Sequence, residues 1–118
     1  MSVFLKRAYE PPQPGDGYRV LVDRLWPRGR SKAELKIDEW LKEIAPSDKL
    51  RKAFHSGDLS WKAFRNAYLG ELKQHRDDLR RLVQIAKRDR LTLVYAVHDE
   101  THNNAVVLKQ YLKMLGAG

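Results

Sequence analysis

Two runs in this chain, Val20-Leu21-Val22 and Leu91-Thr92-Leu93-Val94-Tyr95-Ala96-Val97, are largely apolar with no polar–apolar alternation. A strand with one wet face alternates every second residue, so unbroken runs of this kind suit strands covered on both sides. A parallel sheet packed by helices meets that condition. The second run leads through the polar bridge His98–Asn104 into a helical pattern from Ala105 to Leu115, with Val107, Leu108, Tyr111, Leu112 and Leu115 apolar. Strand, polar turn and helix make half of a parallel α/β unit. Val3-Phe4-Leu5 is a third short apolar run. The segment Pro11-Pro12-Gln13-Pro14-Gly15-Asp16-Gly17 closes it, dense in turn chemistry and unable to be helix.

The middle of the chain reads as helix. Ser31 suits a cap, and Leu35, Trp40, Leu41 and Ile44 fall near helical spacing. Pro46-Ser47 interrupts and restarts the chain, Leu50 and Phe54 mark a short second helix, and Gly57 closes it. Ser60 can cap a third, whose Trp61, Phe64, Tyr68 and Leu72 make one stripe. Asp77-Asp78 favour a fourth helix start, continued by Leu79, Leu82, Val83, Ile85 and Ala86. The expected fold is α/β: a small, open, mostly parallel sheet of about three strands, covered by helices, with elements in the order β-β-α-α-α-α-β-α. At 118 residues, one domain spanning 1–118 is expected.

Lys and Arg number 23 against 15 Asp and Glu, a formal charge of +8. That excess invites a phosphate, nucleotide, nucleic acid or anionic surface. Cysteine is absent, which excludes a disulfide framework, a cysteine-ligated zinc site and a thiol nucleophile. The N-terminus is charged by Lys6 without an apolar h-region, and no apolar run approaches the roughly 20 residues of a membrane span. A cytoplasmic protein with no membrane partner is the expectation. No G-x-x-x-x-G-K, G-x-G-x-x-G or G-x-S-x-G occurs, which argues against standard nucleotide-binding enzymes and serine hydrolases. No cofactor is expected.

Three polar segments follow the three apolar runs. After the second strand, Asp23-Arg24-Leu25-Trp26-Pro27-Arg28-Gly29-Arg30 sets an acid and three arginines around a turn. Guanidinium forks bind carboxylate or phosphate in bidentate fashion, and Asp23 could orient one of them from behind. An Asp23–Arg24 structural pair in an ordinary basic loop is the competing reading. After the last strand, Tyr95 to Asn104 opens a helix, where free backbone N–H groups favour anions. His98 and Asp99, with Asp23, are the acid/base candidates. Asn103 and Asn104 supply amides, while Asp99 or Thr101 could simply cap the helix. His98 and His102 have the spacing of a helical metal pair, but that spacing serves only inside a helix, and no metal is expected. After the first strand come Lys6 and Arg7. With parallel strands, all three segments end on one edge of the sheet, where open α/β sheets bind ligands. The expected ligand-contacting set is Lys6, Arg7, Arg24, Trp26, Arg28, Arg30, Tyr95, Asn103 and Asn104.

The stretch from Lys73 to Arg90 carries seven basic and three acidic residues, which suits a solvated helix face. No recognisable nucleic-acid docking element accompanies it. Arg65, Tyr68 and Glu71 could reach the strand ends, but their spacing does not require it. The functional expectation is a site for an anionic or nucleotide-like small ligand at the strand carboxyl ends. The alternative is a protein-interaction or nucleic-acid-associated regulatory module without catalysis.

Several segments carry a family resemblance. Leu5-Lys6-Arg7-Ala8-Tyr9-Glu10-Pro11-Pro12 and Asp16 to Gly29, with its D-R-L-W-P-R-G core, are two of them. Glu39 to Ser47, Thr92 to Ala96, Asp99-Glu100 and Asn103-Asn104-Ala105 extend the match. Together they resemble the YeaO-like proteins of the family called domain of unknown function 488. Longer members carry a V-D-V-R-type segment where this chain has Val22-Asp23-Arg24. They also carry a Cys-His-Arg element where it has His102-Asn103-Asn104. The resemblance therefore implies that an anion seat is kept and that any thiol nucleophile is lost.

Overall fold

A computed structural model describes residues 2–117. Four strands form one sheet: β1 (Ser2–Arg7), β2 (Tyr18–Leu21), β3 (Glu39–Trp40) and β4 (Arg90–Tyr95). Their spatial order is β1-β4-β2-β3, and every pairing is parallel. Five α-helices accompany them: α1 (Lys32–Leu35), α2 (Asp48–His55), α3 (Trp61–Lys73), α4 (Arg76–Arg88) and α5 (Asn104–Leu112). The α/β class and the open parallel sheet are as expected. The sheet has four strands rather than about three, and the order of elements is β-β-α-β-α-α-α-β-α.

The added strand corrects the reading of Leu35, Trp40, Leu41 and Ile44 as one helix. The helix from the Ser31 cap lasts a single turn. In a longer helix the Leu35 carbonyl would accept from a later backbone N–H. Here it accepts from Nη2 of Arg19 at 2.8 Å and from its Nε at 3.2 Å. Lys36 then turns left-handed at φ 48, and Trp40 lies in β3 beside Leu21. A buried arginine reaching in from β2 thus takes the acceptor that helix propagation needs.

The two sheet faces are covered differently. Val3, Val20, Val22, Leu91, Leu93 and Tyr95 face a large core, closed by Phe64, Tyr68 and Leu72 of α3, by Leu79, Leu82 and Val83 of α4, and by Val107, Leu108 and Leu112 of α5. Each fully buried Leu or Val stabilises the fold by about 1.5–3 kcal/mol. On the opposite face Leu21 and Val94 pack under Ala8, Leu35, Trp26 and Ile37. That cover is one helical turn and loop rather than a helical layer. It explains why β2 and β4 are apolar in both directions. No helix among the described residues is long and apolar enough to cross a membrane.

Caps set the helix starts. The side chain of Ser60 accepts from Ala63 N at 3.1 Å and Ser47 accepts from Leu50 N at 3.3 Å. Replacing Ser60 by Ala removes an acceptor from the start of α3. It is expected to lower stability by about 1 kcal/mol in urea denaturation. A change below about 0.3 kcal/mol would show that packing of the α3 stripe alone positions that helix start.

Candidate functional site at the strand carboxyl ends

Parallel pairing brings the ends of β1, β2 and β4 to one edge. There the chain is stitched across by side chains. Oδ2 of Asp23 accepts from Ala96 N at 2.9 Å, and Oδ1 accepts from Asn104 Nδ2 at 3.0 Å. Asn104 Nδ2 also donates to the Val22 carbonyl at 2.9 Å. The segments after β2 and β4 and the start of α5 thereby share one partly buried knot. Arg7 joins from β1, its Nε donating to the Val97 carbonyl at 3.1 Å and its Nη2 to the Ala96 carbonyl at 3.3 Å.

A cavity of about 370 Å³ opens over this edge. Its lining includes Asp23 and Asn104, the apolar residues Trp26, Phe54, Phe64 and Val97, and three arginines, Arg24, Arg28 and Arg51. His55 and His102 also line it. Phe54 and Phe64 stack with ring centroids 4.3 Å apart, and the His102 ring stacks on Trp61 at 4.7 Å. The volume lies at the small end of small-molecule sites, which span about 300–1,000 Å³.

The loop carrying Arg24 to Arg30 is shaped by its own sequence. Arg30 N donates to the Pro27 carbonyl at 3.4 Å, and Gly29 takes φ 79 between them, a conformation natural to glycine. Trp26 Nε1 donates to the Arg30 carbonyl at 2.5 Å, and its ring meets Trp40 edge-on at 5.4 Å. Arg24 donates to the carbonyls of Pro46 and Ala45 at 3.2 and 3.4 Å, with Asp48 3.7 Å away.

Asp23 does not orient an arginine. Its hydrogen-bond partners are an amide and a backbone N–H, and among the described residues no ion pair involves it. Burial raises its carboxyl above the ordinary carboxylate value, and the bonds from Asn104 and Ala96 and the charges of His55 and Arg51 offset only part of that. Asp99 is in the opposite condition. Its Oδ1 accepts from Thr101 N, Thr101 Oγ1 and His102 N at 2.9–3.0 Å, which holds the carboxyl low. Those bonds close a local turn, so the capping role claims it. Asn103 is the α5 cap, accepting from Val106 N at 2.9 Å.

The remaining candidates are distributed. Arg24, Trp26, Arg28, Asp99, Asn103 and Asn104 line the cavity with Asp23. Lys6 instead binds Asp16 at 3.0 Å. Arg7 and Arg30 lie over the Tyr9 ring at 5.6 and 5.1 Å from its centroid. His98 sits 3.3 Å from Arg7 Nη2, and Tyr95 is buried in the core. Because α5 begins at Asn104, His98 and His102 precede it and do not form a helical pair. Arg65 donates to Gln110, Tyr68 to the Ile44 carbonyl, and Glu71 accepts from Ser47, so packing occupies all three.

Arg51, Phe54 and His55 were not among the sequence candidates. They sit three and four apart on α2, a spacing that puts them on one helix face. That spacing was visible in the sequence, but which face meets the strand ends was not. Arg51 Nε is shielded from solvent and has no hydrogen-bond acceptor among the described residues. Its Nη2 donates to Asp48 at 3.2 Å.

A family model described as the inactive DUF488-N3 subclade matches residues 2–115. The uncharacterized protein YeaO of Escherichia coli K12 is 50% identical over 115 residues, covering 98% of this chain and all of that protein. The uncharacterized protein Rv3073c of Mycobacterium tuberculosis H37Rv is 36% identical over 110 residues, covering 93% of this chain and 92% of the relative. No solved structure matches the chain.

Proposed function

The chain belongs to the DUF488 family, in its inactive N3 subclade, and we propose that it binds a small anionic ligand in the cavity at the strand carboxyl ends without transforming it. The observation that carries this reading is the meeting of three arginines, Arg24, Arg28 and Arg51, in the lining of one cavity at the strand carboxyl ends. Guanidinium groups take phosphate or carboxylate through charge-assisted hydrogen bonds. The apolar lining residues suit a ligand that is only partly polar. Absence of turnover fits the state of the carboxylates: Asp99 is held by its own turn, and Asp23 already accepts from two neutral donors.

Differential scanning fluorimetry with inorganic phosphate, pyrophosphate, ribose 5-phosphate and nucleoside monophosphates tests the reading. A ligand at 100 times its Kd adds about 2.7 kcal/mol, which should raise Tm by roughly 10 °C for a chain of this size. Arg51→Ala is expected to abolish the shift and to change the unliganded Tm little, since its partner Asp48 is exposed. No shift with any of these anions would overturn the proposal. A shift seen only with oligonucleotides and lost steeply with added salt would favour a nucleic-acid partner instead.

A further inference from the structure

Among the residues lining the cavity, Asp23 keeps acceptor capacity that the fold does not use. An ionised carboxylate offers about four acceptor positions, two on each oxygen. In Asp23 the Oδ2 atom spends one on Ala96 N and the Oδ1 atom one on Asn104 Nδ2. One position remains on each oxygen of a carboxylate that lines the cavity and has no cationic partner within ion-pair distance among the described residues. Trp26 and Phe54 line the same cavity, and aromatic side chains suit contact with a flat ring.

We propose that Asp23 is the specificity-determining residue of the site and selects a planar heterocycle presenting two adjacent N–H donors, the 2-amino-4-oxopyrimidine edge contained in both guanine and pterins, joined to an anionic group. Each donor takes the free position of one carboxylate oxygen, a bidentate match that a ring with a single N–H or none cannot make. Arg51 and Arg28 take the anionic group. Burial disfavours the bare carboxylate at this position, and two N–H donors restore to it what water would otherwise supply. The inference rests on the anion-binding reading above and adds the identity of the ring.

Isothermal titration of the full chain tests it with guanosine, inosine and adenosine 5′-monophosphates, ribose 5-phosphate and a pterin carboxylate. Inosine monophosphate differs from the guanosine compound only in lacking the 2-amino donor. The guanosine compound should bind about tenfold or more tighter, as a lost bond to a charged group predicts. Binding of the pterin carboxylate at comparable strength would identify the ring edge as the shared determinant. Its failure beside a strong guanosine response would assign the anion as phosphate. In Asp23→Asn the guanosine preference should fall to about parity, with ribose 5-phosphate binding not weakened. Arg28→Ala should weaken every anion while leaving the guanosine-to-inosine ratio intact. Equal affinities for the guanosine and inosine compounds in the wild-type protein overturn the inference, whether or not Asp23→Asn folds. If ribose 5-phosphate binds and no ring preference appears, the inference fails and the anion-binding reading stands. If nothing binds, both fail.

Discussion

Asp16→Ala is expected to destabilise the protein by about 3–5 kcal/mol, the range for removing one partner of a buried ionic cluster. Asp16 lies in the turn before β2, yet its carboxylate organises the second sheet face. It accepts from Lys6 Nζ at 3.0–3.1 Å, from Arg19 Nη1 at 2.7 Å and from Gln13 N at 3.0 Å. Arg19 is only 3% exposed. Without the carboxylate, two cations face each other with one of them out of water. Opposing effects act on the acid itself: burial pushes the Asp16 carboxyl up, while the Gln13 N–H, Lys6 and Arg19 hold it down, and the net shift is downward. A carboxylate with a lowered folded value contributes stability that is present above its unfolded value, 3.8, and lost as pH falls through the folded value. The gap between wild type and Asp16→Ala, measured by urea denaturation, should therefore hold from pH 7 to about pH 4 and shrink below that. A gap under about 1 kcal/mol at pH 7, or one that does not shrink in acid, would mean that Lys6 and Arg19 are satisfied without Asp16.

Gly17→Ala should be the other severe substitution, at about 2–5 kcal/mol. Gly17 holds φ 68, a conformation that disfavours an L side chain by about 1–2 kcal/mol. It also passes against the first residue of β4. A Cβ at this position would fall on the Arg90 carbonyl oxygen and come within 2.9 Å of the Arg90 Cβ. Overpacking of this kind costs about 1–3 kcal/mol more, because the β2–β4 ladder must shift to relieve it. Gly29 separates the two contributions. It has φ 79 but no atom within 4 Å of an added Cβ, so Gly29→Ala should cost only about 1 kcal/mol. Thermal denaturation of both variants checks this. Equal losses of Tm would show that the approach to β4 is relieved without strain.

Much of the framework was legible locally. Trp61, Phe64, Tyr68 and Leu72 announce a helix because their spacing is a property of neighbours in the chain. Ser31, Ser47 and Ser60 cap within three residues of themselves. The doubly apolar runs at Val20–Val22 and Leu91–Val97 announced strands covered on both faces, and the convergence of their polar sequels follows once the strands are parallel. The misreadings have one cause. Lys6 looked like a site residue until the chain turned back and placed Asp16 against it. Trp40 looked helical until Arg19 took the Leu35 carbonyl. Arg51 and His55 carried no mark of their position over Asp23, which lies 28 residues or more away in sequence.

By itself the sequence determined most of the secondary elements, the α/β class and the family, though not the short strand β3. These depend on periodicity, capping and turn chemistry, which act over a few residues. The tertiary structure alone decided which charges are spent on the fold and which face the cavity. Lys6, Arg19 and Asp16 hold one sheet face together, while Arg51 and Asp23 keep unused hydrogen-bonding capacity beside the cavity. Electrostatic and hydrogen-bond energies depend on separation through space and on the water excluded between groups, and neither exists until the chain has folded.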